Sequence, residues 1–513
     1  MQIGLWAYYS SSSSSEWPRT SKQRHASMHN LDDDSLLSIF HYCRSHLPDE
    51  SEFDNFPTFK ARKWEDECWW YKLVKVCRRW RHLILGSAYH LRLSLLCTHG
   101  SPVEDMLAYR PPLPLIIDYH DDHNINVQEE VGMLVALNNR DRVRRIRLHI
   151  PILHSEALVM AFDEEFPMLE YLAIAPQVTY GTSLILPKKF QAPHLRHLMI
   201  SDTVFSRGSP LFTSAACLVT LSLVWVDPSI HLYACDLLQY LSCVPQLEKL
   251  QISFYCPLSR KTLRRMLRAP IMTHATLPNL RRLGFEGPIA YLETLLPFVT
   301  APSLEKLRIL FFYQPTLAVP HLLQFLSKAE SLRFAGAKLT FYEKFVSVVG
   351  YPSGVVGGQF SCLYFDYGTF DQQVASTVQI FNSLWPLFSV VEDLTIEYAR
   401  DSMSSEWHTE VDHTRPWHVI LRSFGNVKAL FVDDGPGGEM SRCLLSDDGG
   451  SPMNRLPELK ELSYSTCDDV DSAFTAFADV RKKAGNPVVL VRRWTQQRAV
   501  LVGSGENGSG LQG

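Results

Sequence analysis

Apolar residues recur at the first, fourth and sixth positions of a six-residue pattern that repeats along most of the chain. On a strand, the fourth and sixth residues point to one side and the third and fifth to the other. Each copy therefore predicts a short strand with two apolar side chains facing one core. The twelve copies start 23 to 36 residues apart, at Val143, Leu169, Leu195, Leu218, Leu247, Leu280, Leu304, Ala329, Phe360, Val391, Val427 and Leu459.

The segments that join these strands have a pattern of their own. Residues 234–244 and 320–329 show the apolar spacing of helices, and a proline commonly stands two residues before a copy starts, as Pro245 and Pro278 do. One strand–helix unit cannot bury its apolar side alone, but stacked units bury it against their neighbours. We therefore predict an α/β fold, an irregular solenoid of strand–helix units over residues 98–495. A plain α/β sheet is the alternative.

A different pattern occupies residues 31–97. Leucine, isoleucine and phenylalanine cluster over residues 31–40, and a stretch from Trp64 to Leu85 places apolar residues at steps of three and four, which predicts one apolar helix face. Between the two stretches, residues 48–67 predict an acidic, aromatic loop. This block is predicted to be a small all-α domain. Residues 1–30 predict a disordered leader and residues 496–513 a flexible, glycine-rich tail.

Composition narrows the class of protein. The 513 residues carry a net charge of −4, which argues against a protein that coats nucleic acid, and no apolar run approaches the roughly 20 residues of a membrane span. The eleven cysteines are odd in number and form no Cys-x-x-Cys pair, so neither a zinc site nor a disulfide framework is expected. We expect reduced cysteines and a cytoplasmic or nuclear location, or both.

The repeated pattern resembles the first positions of the leucine-rich repeat. The asparagine that regular members carry three residues beyond the last apolar position is absent, because those places hold residues such as Thr203, Val226 and Tyr255. The resemblance implies a stack without the asparagine ladder of regular members, and the uneven unit lengths imply irregular curvature.

The first block resembles an F-box. The segment 31–40 and the segment Val76-Cys77-Arg78-Arg79-Trp80-Arg81 match its two halves, although Asp32 replaces the usual proline and residues 48–64 lengthen the connecting loop. An F-box followed by repeats is similar to the large F-box families of mushroom-forming fungi. The resemblance implies the substrate-recognition subunit of an SCF-type ubiquitin ligase.

By this resemblance, the first block would dock a Skp-type adaptor and, through it, a cullin scaffold. The adaptor-binding residues, some of which would complete the local core instead, would be Leu31, Leu36, Leu37, Ile39, Phe40, Leu73, Val76, Cys77, Trp80 and Leu83. The alternative is a recognition scaffold outside any ligase, in which these helices only cap the open end of the stack.

A protein target would meet the outward side chains of the strands. The early units place there the candidate target-binding residues Arg145, Arg147, Tyr171, His197, Lys249, Arg282, Lys306, Arg308 and Arg333. Later outward or strand-end places hold Asp366, Asp393, Glu397 and Asp433. The hypothesis is a face that is basic first and acidic later, suited to an acidic or phosphorylated target segment. A solvated face with cations for solubility is the alternative.

No catalytic motif is present, so no enzyme, cofactor or metal site is predicted. The sequence lacks a phosphate-binding loop, a nucleophile elbow and a His-Glu-x-x-His helix. The polar runs at residues 118–123 and 408–413 are interpreted as solvated loops rather than metal ligands, and residues 433–438 as a glycine-rich turn.

Overall fold

The structure, a computed structural model, divides the chain into two compact units that part between Leu93 and Ser94. The predicted division after residue 97 is therefore four residues late, since residues 95–97 already form a strand of the second unit. The predicted leader, acidic loop and terminal tail lie outside the described residues. The described residues are 31–43, 68–108, 112–120, 127–149, 155–175, 184–204, 209–226, 232–255, 259–267, 270–312, 318–329, 332, 334–342, 345–351, 361–366, 370–399, 414–445, 456–465 and 468–493.

In its described residues the first unit contains three helices, α1 (Asp33–Cys43), α2 (Trp70–Leu73) and α3 (Arg78–Gly86). The single helix face predicted from Trp64 to Leu85 is wrong, because the helix breaks over residues 74–77. Cys77 has an extended backbone with φ of −157°, and its Sγ accepts a hydrogen bond of 3.4 Å from the Trp80 amide. Cys77 therefore starts a new helix as its N-cap.

The second unit is built around one 16-stranded sheet. Its strand order is β1-β2-β3-β4-β6-β8-β9-β11-β13-β16-β15-β14-β17-β18-β19-β20, and every pair is parallel except β16–β15 and β15–β14. The strands are β1 (Leu95–Cys97), β2 (Leu115–His120), β3 (Val143–His149), β4 (Tyr171–Ile174), β6 (His197–Ser201), β8 (Thr220–Val226), β9 (Lys249–Phe254), β11 (Arg282–Gly287), β13 (Lys306–Phe311), β14 (Gly336–Phe341), β15 (Phe345–Tyr351), β16 (Ser361–Asp366), β17 (Asp393–Tyr398), β18 (Ala429–Val432), β19 (Glu461–Ser465) and β20 (Val489–Arg493). Two short parallel pairs, β5 (Leu184–Ile185) with β7 (Thr203–Val204) and β10 (Ala275–Thr276) with β12 (Val299–Thr300), lie outside this sheet.

Helices connect most of the parallel strands. They are α4 (Val103–Leu107), α5 (Val127–Leu137), α6 (Ser155–Phe162), α7 (Pro210–Ser214), α8 (Ala234–Ser242), α9 (Arg260–Met266), α10 (Ile289–Leu295), α11 (Pro320–Lys328), α12 (Phe370–Phe388), α13 (Thr414–Arg422), α14 (Asp434–Leu445) and α15 (Asp468–Lys483). The helices predicted over residues 234–244 and 320–329 are confirmed as α8 and α11. Rings join strands to helices: Phe341 of β14 packs against Trp417 of α13 with centroids 5.6 Å apart. Strand order that follows chain order over most of the sheet is consistent with a leucine-rich-repeat-like stack.

The repeat pattern marks the core. In the unit that starts at Leu247, the first, fourth and sixth residues are Leu247, Leu250 and Ile252, and all three are buried. The first residue closes a turn, because the Leu247 amide donates to the Val244 carbonyl oxygen at 3.1 Å. Pro245 occupies the second place of that turn, which its fixed φ favours. In the units that carry it, the recurring proline is therefore a turn residue that precedes the strand.

The copy predicted at Ala329 is wrong. Strand β14 begins at Gly336, and its pairing aligns Ala337 with Leu394 and Leu339 with Ile396, so the unit starts at Phe334. From β14 the chain runs back through β15 to β16 as an antiparallel meander, which places β16 beside β13 and β14 beside β17. The target-binding candidate Arg333 lies outside the described residues, and the corrected register places it before the strand.

The turn predicted over residues 433–438 is also wrong, because α14 begins at Asp434. Pro436 falls in the first turn of the helix, where amides have no partner within the helix and a missing N–H costs little. Met440, Cys443 and Leu444 are completely buried and hold this helix in the core. Among the described residues, no helix is both long and apolar enough to cross a bilayer.

Candidate functional site

The first candidate surface belongs to the N-terminal helices, where Arg79 of α3 forms hydrogen bonds with the start of α1. Its guanidinium donates to Asp33 Oδ1 at 2.8 and 3.1 Å and to the Leu31 carbonyl oxygen at 2.6 Å. The same two helices are joined by the rings of Phe40 and Trp80, which meet edge to face with centroids 4.9 Å apart. The basic segment 78–81 therefore positions α1 through hydrogen bonds, a role that its similarity to an F-box segment did not reveal.

Burial separates the predicted adaptor-binding residues into three groups. Leu36 and Phe40 are 0% exposed, so they form the core of the block and offer no surface to a partner; for these two, direct adaptor contact is corrected. Val76 is 60% exposed because it lies in the break between α2 and α3. The half-buried members are Leu31, Leu37, Ile39, Leu73, Cys77, Trp80 and Leu83.

The second candidate surface is the side of the main sheet opposite the core, which we call the polar face. It consists of the third, fifth and seventh residues of the units, and the parallel register aligns them in rows 3, 5 and 7 across neighbouring strands. In row 3, for example, Thr220, Lys249, Arg282 and Lys306 are partners on four successive strands. Adjacent members of a row are about 4.8 Å apart.

The beginning of the polar face is less basic than the sequence suggests. Arg147 is buried, and its Nε lies 3.3 Å from Oδ1 of Asp118 on the adjacent strand β2. Its charge is therefore neutralised within the protein, which corrects its prediction as a target-binding residue. Arg145 remains half-buried in row 3. At the ends of the same two strands, the rings of His120 and His149 lie 4.9 Å apart.

The next two strands continue the face without charge. Tyr171 is half-buried, and its hydroxyl donates to Met199 Sδ at 3.7 Å. His197 is buried and hydrogen-bonded to Thr220 Oγ1 at 3.2 Å, so this candidate is a structural side chain and its prediction as a target-binding residue is corrected. The tertiary structure therefore separates the cations of the early units from those of the central units.

Four of the predicted residues do come together. Lys249, Arg282 and Lys306 form a continuous stretch of row 3 on β9, β11 and β13, and Arg308 lies in row 5 beside Gly284 and Gln251. Lys306 and Arg308 are exposed, and Lys249 and Arg282 are half-buried. We call these four residues the cationic cluster. It brings four cationic side chains of three adjacent strands together on the polar face.

The far end of the polar face carries acidic groups of unequal character. Glu397 is 7% exposed and accepts from Lys338 Nζ at 2.6 Å, so its charge is paired. Asp433 is buried. Asp393 is exposed; partial desolvation raises the pKa of its carboxyl, the carboxylates of Glu392 and Glu461 raise it further, and Lys428 opposes them. The side chain of Asp366 lies outside the described residues.

The second position of the units is a feature that the sequence analysis missed. Its residues alternate in charge over parts of the stack, and ion pairs join Arg144 to Glu170 at 2.8 Å and Arg281 to Glu305 at 3.3 Å. The backbone repeats the connection, since the Glu305 amide donates to the Arg281 carbonyl oxygen at 2.9 Å. The signal was present as alternating charge at one position of the repeat. These pairs join neighbouring units where the strands begin.

Burial displaces the pKa values of several core side chains among the described residues. Burial raises the pKa of the Cys97 thiol to about 12, with Arg142 opposing, and burial likewise raises the pKa values of Tyr291 and Tyr398 well above their usual range. These are core side chains of different units. In the described part of the chain, no three His, Cys, Asp or Glu side chains are grouped closely enough to hold a metal ion. The run 408–413 and residues 121–123 lie outside that part, whereas residues 118–120 belong to β2 and Asp118 is buried, so the interpretation of these three residues as a solvated loop is wrong.

Comparison with known proteins yields one kind of match. No family model matches the chain, and no curated protein matches it. Solved structures that match include the leucine-rich repeat-containing protein LegL7 from Legionella pneumophila, which is 12% identical and covers 80% of this chain and 95% of its own, with a TM-score of 0.24. A TM-score this low does not establish a shared fold.

Proposed function

We propose that this protein is a substrate-recognition subunit of an SCF-type ubiquitin ligase, which docks a Skp-type adaptor through residues 31–93 and a protein target through the polar face of the repeat unit. The protein itself would carry no catalytic centre and need no cofactor. The proposal joins two separate binding duties, and each belongs to one of the two compact units of the chain.

The observation that carries the proposal is the packing of the first unit. Arg79 and the Phe40–Trp80 ring pair fix α1 against α3, while Val76 stays 60% exposed and Leu37 and Ile39 stay half-buried. An ordered apolar surface on so small a helical block suits a partner that covers it. The alternative, a recognition scaffold in which these helices act only as a cap, is supported by the repeat unit alone.

A pull-down of the full chain with purified Skp-type adaptor tests the first duty. Leu37→Asp and Val76→Asp are expected to lower adaptor retention at least tenfold, because each places a charge on the apolar surface. Val76 is exposed, so its replacement leaves the core of the block intact. Tyr42→Asp is the matched control: it adds the same charge to the same helix, about 140° around the axis from Leu37.

Circular dichroism of each variant keeps the result interpretable. A wild-type chain that binds adaptor, together with folded Leu37→Asp and Val76→Asp variants that do not, would support the receptor function. A folded wild-type chain that fails to bind would overturn it and favour the scaffold. Equal retention of the adaptor by wild type and both variants would show that the adaptor does not dock on this surface.

A further inference from the structure

The cationic cluster forms a line of positive charges across three adjacent strands. Row 3 places Lys249, Arg282 and Lys306 on three adjacent strands, so their backbones span about 10 Å across the sheet. Two residues along β13, Arg308 adds a fourth positive charge in row 5. An extended peptide advances about 3.3 Å per residue, so acidic side chains two or three residues apart match these separations.

Small residues flank Gln251 in row 5, next to the cationic cluster. In row 5, Gly284 has no side chain, and a Cβ built on it would lie 3.3 Å from Gln251 Cγ. On the next strand Ser222 is small and buried, and its hydroxyl donates to Gln251 Oε1 at 3.5 Å. In this part of row 5, Gln251 therefore lies between a glycine and a small buried serine, and the longer Arg308 lies on the strand beyond Gly284.

Two aromatic side chains stand at the carboxyl ends of the neighbouring strands. Trp225 is 36% exposed and has a left-handed backbone with φ of +50°, at a bulge where the register of β8 and β9 shifts before Val226 pairs with Phe254. Bulges re-aim side chains, and a left-handed tryptophan costs about 1 kcal/mol or more unless the surroundings hold it. Tyr255, 38% exposed, follows β9 directly.

Negative charge flanks the aromatic end and limits what can bind. Glu286 lies in row 7 of β11 and accepts from Ser253 Oγ at 2.8 Å, and the carboxylate of Asp202 is buried after β6. A nucleic acid would carry a phosphate along its whole path and would meet these carboxylates. A peptide can place acidic side chains over the cations and an apolar side chain beside Trp225 and Tyr255.

We propose that this part of the polar face binds an extended, acidic peptide segment of a partner protein, with a large apolar residue about four to six positions away from the acidic ones, because Trp225 and Tyr255 lie four to six residues along the strands from row 3. The segment crosses β9, β11 and β13 over the cationic cluster, and its apolar residue packs on Trp225 and Tyr255. The inference rests on the proposed function only in that the bound segment would belong to the ligase target; the binding itself needs no adaptor.

Selection from a displayed library of random 12-residue peptides on the immobilised full chain tests the inference. Enriched peptides are expected to hold two or more Asp or Glu residues two or three places apart, with an aromatic or aliphatic residue about four to six places from the nearest acid. Fluorescence anisotropy of a synthetic enriched peptide is expected to show at least tenfold weaker binding to the variant Lys249→Glu/Arg282→Glu/Lys306→Glu. Trp225→Ala/Tyr255→Ala is expected to weaken it severalfold. A copy of the peptide with phosphoserine in place of one acid distinguishes phosphate from carboxylate recognition.

The matched control carries the same change of charge on the helices of the same region. Lys261→Glu/Arg264→Glu/Lys328→Glu reverses three exposed cations of α9 and α11 and is expected to bind the peptide as wild type does. Equal weakening by both triple variants, enrichment of neutral or basic peptides, no enrichment, or tighter binding of a 12-nucleotide oligouridine would each overturn the inference. Both triple variants leave residues 31–93 unchanged, so adaptor binding and peptide binding can be measured separately. A failure of the peptide inference would therefore be distinguishable from a failure of the proposed adaptor docking.

Discussion

Lys338 Nζ lies 2.6 Å from Glu397 Oε1, across the neighbouring strands β14 and β17. The pair exists because the chain reverses through β15 and β16 and thereby leaves β14, rather than β16, beside β17. Thr340 Oγ1 adds a donor to the same carboxylate oxygen at 3.3 Å. The acid that the sequence placed at a negative end of the polar face is thus a nearly buried group with two donors.

Replacement of Lys338 by methionine is expected to lower the free energy of unfolding by about 1–2 kcal/mol, because the buried carboxylate of Glu397 loses a charged donor. Urea denaturation measures the change. Lys428→Met is the control, since Lys428 and Glu392 lie at the same 2.6 Å but are both about half exposed. That exposed pair is expected to contribute about 0.5 kcal/mol or less. Equal effects of the two replacements would contradict the importance of burial here.

Gly336 is expected to tolerate no side chain. The ring of Tyr351, its partner on β15, covers Gly336, and a Cβ there would overlap Cε2 and Cζ of that ring. Gly336→Ala is expected to lower the free energy of unfolding by about 1–3 kcal/mol. Gly425→Ala, which meets open space, is the control and should change it by about 0.5 kcal/mol or less. In a Tyr351→Ala background the cost of Gly336→Ala should shrink, and an undiminished cost would refute this contact as the cause.

Arg481 is expected to be a structural residue despite its charge. It is 0% exposed, and its guanidinium donates to the carbonyl oxygens of Leu456, Pro457 and Leu459 at 3.1–3.2 Å. Burial lowers the pKa of this group, and Glu458 opposes the shift. Arg481→Met is expected to cost about 3 kcal/mol or more, because three carbonyls before β19 lose a charged donor.

Hydrogen exchange locates that effect. Amides of β19 should exchange faster in Arg481→Met, since the turn that positions this strand loses its anchor. Lys482→Met, a replacement of the exposed neighbour on the same helix, should leave both stability and exchange unchanged within about 0.5 kcal/mol. Unchanged protection of β19 in Arg481→Met would show that the turn holds without the guanidinium.

Asp393 gives a pH dependence with a defined sign. Its folded pKa is raised above the ordinary 3.8 by partial desolvation and by Glu392 and Glu461. A carboxyl whose pKa is raised on folding destabilises the native state above that pKa, and the penalty fades as the pH falls towards 3.8. Asp393→Asn should therefore raise the midpoint of thermal unfolding slightly at pH 7 and leave it unchanged near pH 3.5. Asp479→Asn on α15 serves as the control, and a gain that persists at low pH would contradict the mechanism.

Part of the candidate surface could be predicted from the repeat alone. Lys249, Arg282 and Lys306 share one position in three units, so a parallel stack must align them in one row. Nothing in their spacing showed that Arg147 would be neutralised by Asp118 or that His197 would be buried beside Thr220. Those outcomes depend on neighbours from other units, whose charge and size the pattern within one unit does not contain.

The N-terminal block shows the same division. The apolar steps from Trp69 to Leu83 fit one helix, but the Cys77 thiol caps a new helix and Val76 turns out of the face. An N-cap depends on the backbone conformation and the side chain of a single residue, which an apolar spacing over many residues does not show. The sequence did identify the residues that pack, since Leu36 is buried and Phe40 and Trp80 form the ring contact between α1 and α3.

The sequence by itself determined the class of fold, because apolar residues at fixed positions of a repeat can be buried only if strands align and helices cover them. It also determined which side faces the core in the strands whose repeat register is confirmed. Only the tertiary structure decided the strand order around β14–β16, the register that starts at Phe334, and which cations meet on the polar face. These depend on pairings between residues far apart in the chain, where a single reversal exchanges the neighbours of every strand beside it.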